Sequence, residues 1–166
     1  MIVLWSYFWP IFAAALITGL FAGILAHRRT GRRHIVRGGG LVVALALTAL
    51  WHGPLGAGQR LSSNIEVNTS ATLAYYELPA ITARLHHSPL TRRVILSGPA
   101  DDFQRRELPA TMDTLPGVAS TRWAPAGGGV PLIAEAAGMA VLGFLFGLLL
   151  AYLVELHRRH NAQWNW

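Results

Sequence analysis

The sequence predicts an α-helical membrane protein with three transmembrane helices and a small β-α-β-α-β extracytoplasmic domain between the second and the third. Three observations lead there. Ile2 to Ala26 is a run of 25 residues without a charge. Val130 to Val154 is a second run of 25, broken only by Glu135. At about 1.5 Å rise per residue, each run crosses the roughly 30 Å hydrocarbon layer of a bilayer as a helix. The third observation is composition. Only 13% of residues are charged and 52% are hydrophobic, which places much of the surface against lipid.

Taken in order, residues 1–26 form the first span. A cleavable secretion signal carries positive residues before its apolar core and a small-residue cleavage site after it. Here an Arg cluster follows the apolar run and no basic side chain precedes it, which predicts a retained span. Residues 27–37 form a basic loop with Arg28, Arg29, Arg32, Arg33 and Arg37 and no acid. Residues 38–57 are the second span. It starts at Gly38-Gly39-Gly40, continues through Leu41 to Trp51 and is interrupted at His52-Gly53-Pro54. Residues 58–124 are the α/β domain, 125–129 a flexible linker, 130–155 the third span and 156–166 a tail.

Charge orients the set. Short loops rich in Arg stay on the cytoplasmic side, so the basic loop is cytoplasmic, as is the tail with Arg158 and Arg159 against Glu155. The segment from Gly58 to Gly129 balances Arg60, Arg84, Arg92, Arg93, Arg105, Arg106 and Arg122 against Glu66, Glu77, Asp101, Asp102, Glu107 and Asp113. That near-neutral segment belongs on the opposite, periplasmic side, with the N-terminus. Trp5, Tyr7, Trp9, Trp51 and Trp123 fit the outer interface, and Tyr152, Trp164 and Trp166 the inner one. All 14 basic residues are Arg, which reads as the coding bias of a GC-rich bacterium. The expected location is therefore the bacterial inner membrane. Cysteine is absent, which excludes disulfides, thiolate metal sites and a cysteine nucleophile.

Within the α/β domain, Ile65 to Thr69 alternates and is rich in β-branched residues, which predicts a strand. Leu78, Ile81 and Leu85 are spaced by three and four, which predicts a helix over Glu77 to His87 with Pro79 in its first turn. Thr91 to Ser97 reads as a strand. Asp101-Asp102 opens a helix, where acids favour the positive end of the helix dipole. Val118 to Trp123 reads as the last strand.

The motif Val94-Ile-Leu-Ser-Gly98, then Asp101-Asp102, Arg105, Arg106 and Leu115-Pro-Gly-Val118, resembles the second half of a BON domain. The likeness runs roughly from Leu78 to Trp123. In that family a strand ends in Leu-x-Gly, a helix carries an Arg, and a Gly-Val turn starts the final strand. The resemblance implies a small α/β module of the bacterial envelope, associated with membrane or phospholipid attachment, and it implies no catalytic residue. The family has two strands between its helices, whereas only Thr91 to Ser97 reads as a strand here.

Small residues recur every four positions in both long runs: Ala15, Gly19 and Gly23 in the first, Gly143, Gly147 and Ala151 in the second. Such a stripe lets helix backbones approach closely in lipid, within the chain or against other subunits. His52 and Glu135 form a polar pair expected at similar depth. An ionisable group in a span is costly and is a functional candidate by default. His157 and His160 share a helix face at a metal-ligand spacing, but Arg158 and Arg159 crowd them. His86 and His87 read as solvated residues at a helix end. No catalytic, cofactor or metal site and no nucleic-acid partner is expected. The basic loop sets topology or grips anionic lipid headgroups.

Three functions are compatible with this reading. The first is a non-catalytic accessory or assembly subunit of a larger inner-membrane complex, photosynthetic or respiratory, within a hetero-oligomer. The second is an envelope tether whose periplasmic domain binds lipid, peptidoglycan or an outer-membrane partner. The third is a proton-conducting or transporter component using Glu135. The topology has a direct test. A reporter active only in the periplasm should work when fused after Gly58 or Gly127 and fail after Arg33 or Trp166; the opposite pattern inverts the orientation.

Overall fold

A computed structural model of the chain describes residues 2–28 and 31–162. Arg29 of the basic loop and Trp164 and Trp166 of the inner aromatic set lie outside the described residues. The elements are α1 (Ile2–Arg28), α2 (Arg33–His52), α3 (Ala57–Tyr75), β1 (Thr82–His87), β2 (Leu90–Ser97), α4 (Asp102–Asp113), β3 (Ser120–Trp123) and α5 (Leu132–Ala162). They form two compact units, one of residues 1–7 and 55–135, the other of residues 8–54 and 136–166.

In the second unit, α1, α2 and α5 are each long and apolar enough to cross a membrane. Between membrane helices the surroundings are as apolar as the side chains, so close backbone contact rather than hydrophobic burial drives packing. The small-residue stripes provide that contact inside the chain. A Cβ placed on Gly19 would collide with the Phe144 carbonyl oxygen, and one on Gly147 with the Leu16 carbonyl oxygen. On Gly143 it would lie 2.6 Å from the Phe12 carbonyl oxygen, and on Gly23 it would collide with Ala151 Cβ. Ala15 and Ala151 are buried in the same seam. Outward, the large apolar side chains Phe21, Leu47, Phe146 and Leu149 are exposed.

The triple glycine does not begin α2 but lies inside it, correcting the expected boundary at Gly38. Only residues 29–32 separate α1 from α2, so Arg33, His34 and Arg37 are helical and the basic loop is short. Gly40 explains why glycine is tolerated there: a Cβ on it would lie 2.6 Å from Ala22 Cβ and 3.1 Å from the Phe144 ring. It is a contact point of α2 with both partner helices. The helix ends at His52 rather than extending to Ala57, because Pro54 lacks an amide hydrogen and restricts the residue before it.

The first unit is an α/β fold in the order α-β-β-α-β, which corrects the expected β-α-β-α-β order at two elements. Ile65 to Thr69 is not a strand but the middle of α3. The buried residues Ala57, Leu61, Ile65, Thr69 and Leu73 recur every four positions, a helical stripe that outweighs the local β-branched density. Glu77 to His87 is not a helix; its second half is β1. Spacing by four suits both periods, since Ile81 and Leu85 share a face in a strand as well as on a helix. Pairing decides the matter: β1 joins β2 in antiparallel register, Thr82 opposite Ser97 and Arg84 opposite Ile95, with a tight turn over Ser88-Pro89.

The sheet has the order β1-β2-β3, with β3 parallel to β2 after the α4 crossover. Asp101 caps α4: its carboxylate accepts from Gln104 N at 2.6 Å, while Gln104 Oε1 accepts from Asp101 N at 3.1 Å. This reciprocal pair satisfies amides that the helix leaves open. Ile65, Leu85, Val94, Leu96, Leu108 and Met112 are buried and form the core. Two glycines of the BON-like motif have backbone angles that other residues rarely adopt. Gly98 (φ 135°) abuts the Ala80 carbonyl and Gly117 (φ 99°) abuts Ile65.

These contacts separate two kinds of glycine. Gly19→Leu and Gly147→Leu should each cost about 1–3 kcal/mol by overpacking the α1–α5 seam. A Cβ on Gly38 or Gly39 meets nothing within 4 Å, so Gly38→Ala and Gly39→Ala should gain about 0.5–1 kcal/mol of helix stability. Thermal unfolding in a mild detergent measures both; equal behaviour of the two sets would contradict the seam.

Candidate functional site

Two arrangements in the α/β unit gather polar chemistry. The first lies along α3 and β1. Glu66, on the α3 face turned toward the sheet, accepts from the Leu85 amide at 3.1 Å and from His87 Nε2 at 2.9 Å. β1 is the edge of the sheet, so the amide that Glu66 takes has no strand partner. A groove of about 660 Å³ follows, lined by Leu73, Ala74, Leu78, Pro79 and Ile81 with Ser70, Glu77 and Arg84 among its polar groups. A second hollow of about 460 Å³, with Ser63, Glu66, Val67 and His87, shares Ser70, Ala83 and Arg84 with it. At the helix end Tyr75 and Tyr76 stack edge to face at 5.4 Å, Tyr75 being 83% exposed. Apolar walls with a few placed polar groups are the general character of a binding cleft.

The second arrangement holds the first turn of α5. Arg92 of β2 donates from Nε to Glu135 Oε2 at 2.8 Å and from an Nη to the Gly117 carbonyl at 3.4 Å. The two charged side chains are only 19% and 21% exposed. Alternate strand residues point to opposite faces, so the neighbouring Arg93 reaches elsewhere, to Ser120 Oγ (3.1 Å) and the Gly127 carbonyl (2.7 Å). Thr91 pairs with Pro131 as an isolated bridge. Three consecutive residues of β2 thus hold the linker and the first turn of α5.

Glu135 therefore has a guanidinium partner from the α/β fold. In the sequence Arg92 stands only as one charge among several in a predicted strand. His52 is the last residue of α2, half-buried. His157 Nε2 lies 3.0 Å from Asn161 Nδ2. Among the described residues no three His, Asp or Glu side chains converge in a metal-binding cluster. His86 and His87 are strand residues rather than a helix end; His86 Nδ1 donates to the Pro89 carbonyl at 3.0 Å. Arg28 closes α1, Arg32 precedes α2, and both are exposed with Arg33 and Arg37. Trp123, expected at the membrane interface, holds α4 to β3. Its indole N–H donates to the Arg105 carbonyl at 3.0 Å, and the Arg105 guanidinium lies 5.4 Å from its ring centre.

No protein family, curated protein or solved structure matches this chain.

The Arg92–Glu135 pair should show coupling. Glu135→Gln keeps an acceptor but removes the charge assistance, and should destabilise the protein by about 1–2 kcal/mol. Arg92→Gln should do the same, and the double variant should be little worse than either alone. Additive losses in thermal unfolding would mean that the two side chains act independently.

Proposed function

We propose that the chain is a non-catalytic membrane-anchored accessory protein of the bacterial envelope, whose α/β unit rather than its apolar helices makes the contacts to a partner. The observation that carries this reading is the largely apolar groove along α3 and β1, on a unit with its own buried core. The helix stripes support it from the other side. Gly19, Gly23, Gly143 and Gly147 are occupied within the chain, so they do not need another subunit.

The order α-β-β-α-β adds weight to the BON resemblance. Two strands lie between the helices, as that family implies, and the glycines of the motif are the two at positive φ beside the core. Such a module fits a tether to lipid, peptidoglycan or an outer-membrane partner. The charge distribution supports a periplasmic α/β unit and a cytoplasmic basic loop and tail. Three apolar helices of sufficient length support a multi-pass inner-membrane location. An accessory subunit docked through its helices is the competing reading. Its best surface is the exposed apolar side of α2, with Val42, Val43, Leu47 and Leu50.

Site-specific photo-crosslinking in cells separates the two. A crosslinking residue at Val67 or Tyr76 should trap a partner, and one at Phe21 or Leu47 should trap only lipid. Protein adducts confined to Phe21 or Leu47 would replace the α/β reading with helix docking.

A further inference from the structure

The C-terminal ends of α1 and α5 enclose a cavity of about 310 Å³. Ile24, Ala151 and Val154 line it, as do His27, Arg28 and Arg158. The apolar three lie deeper in the uncharged runs, and the basic three lie at or beyond the ends of those runs. One cavity therefore has a hydrocarbon-like inner part and a cationic outer part. Glu155 also lines it, and its carboxylate is ion-paired with both Arg159 Nε at 3.0 Å and Arg158 Nε at 3.5 Å, leaving the two cations one negative charge to share. His27 is fixed by a 2.8 Å bond from Nδ1 to the Gly23 carbonyl. Arg28 makes no side-chain hydrogen bond or ion pair with a described residue, and Arg32, Arg33 and Arg37 make none either.

We propose that this cavity binds one acidic phospholipid, its phosphate held by Arg28 and Arg158. A guanidinium fork matches two phosphate oxygens at once, and basic pockets between membrane helices suit acidic headgroups. The acyl chains have a place. Phe21, Ile24, Leu25 and Arg28 share one face of α1 at helical spacing, and Phe21 and Leu25 are 61% and 47% exposed. Charge selects the ligand, and the apolar track selects a lipid over a soluble phosphate. The inference rests on α1 and α5 lying in a bilayer. It is independent of what the α/β unit binds.

The test uses the purified full-length chain in detergent, with lipid retention followed by native mass spectrometry. Phosphatidylglycerol should be retained at least tenfold better than phosphatidylcholine. The Arg28→Gln/Arg158→Gln double variant should lose that preference. Arg106→Gln/Arg122→Gln removes the same net charge from the α/β unit and should keep it. Glu155→Gln, which removes the one carboxylate, should retain the acidic lipid as well as the parent or better. Equal retention of both lipids by the parent would overturn the site. So would an unchanged preference in the Arg28/Arg158 variant, which would assign the effect to Arg32, Arg33 and Arg37. Glycerol phosphate binding as tightly as the lipid would replace it with a soluble-anion site. Release of the chain from membranes by alkaline carbonate would instead refute the bilayer reading, a result distinct from lost lipid selectivity in a retained protein.

Discussion

Backbone contact between α1 and α5 is the constraint on which the unit of three apolar helices depends. Apolar side chains gain little by leaving lipid for each other, so two helices hold together only where their surfaces fit. Gly19 and Gly147 bring carbonyl groups of one helix against the α-carbons of the other, and no larger residue fits either position. The first and last apolar segments are joined by this seam, and α2 enters it at Gly40 against Ala22 and Phe144. The exposed Val, Leu and Phe side chains around the seam meet no such backbone constraint.

Much of this unit was legible in the sequence because its signals are long. Apolar runs of 25 residues with at most one charge have few other physical explanations, and glycine at four-residue spacing marks a contact face. Which helix each face meets was not legible: a stripe specifies closeness without specifying a neighbour. The triple glycine suggests a helix boundary, because glycine weakens helices in water, yet all three lie inside α2, where only Gly40 meets its neighbours.

The α/β unit was read less well, and the two errors share a cause. Ile65 to Thr69 is five residues, too few to tell a strand from a helix turn rich in β-branched side chains. Over Ala57 to Leu73 the four-residue period is plain. Leu78, Ile81 and Leu85 fit either period, and the choice depended on pairing with β2, a contact between separate segments. Elements with local chemical marks were read correctly. Asp101-Asp102 marks the start of α4, and Gly98 the end of β2. Of the candidate site, Glu135 stood out by its place in an apolar run. Glu66, Arg92 and the groove did not, because each is defined by partners distant in sequence.

The bond between Glu66 and the Leu85 amide has a consequence for colloidal behaviour. A sheet edge with open amides is a template onto which the strand of another molecule can add, and repeated addition leads to fibres. One carboxylate on α3 occupies the outward amide in the middle of β1, and the exposed charge of Arg84 flanks it. A second copy approaching this edge therefore finds the Leu85 amide already taken, which works against strand addition at that point.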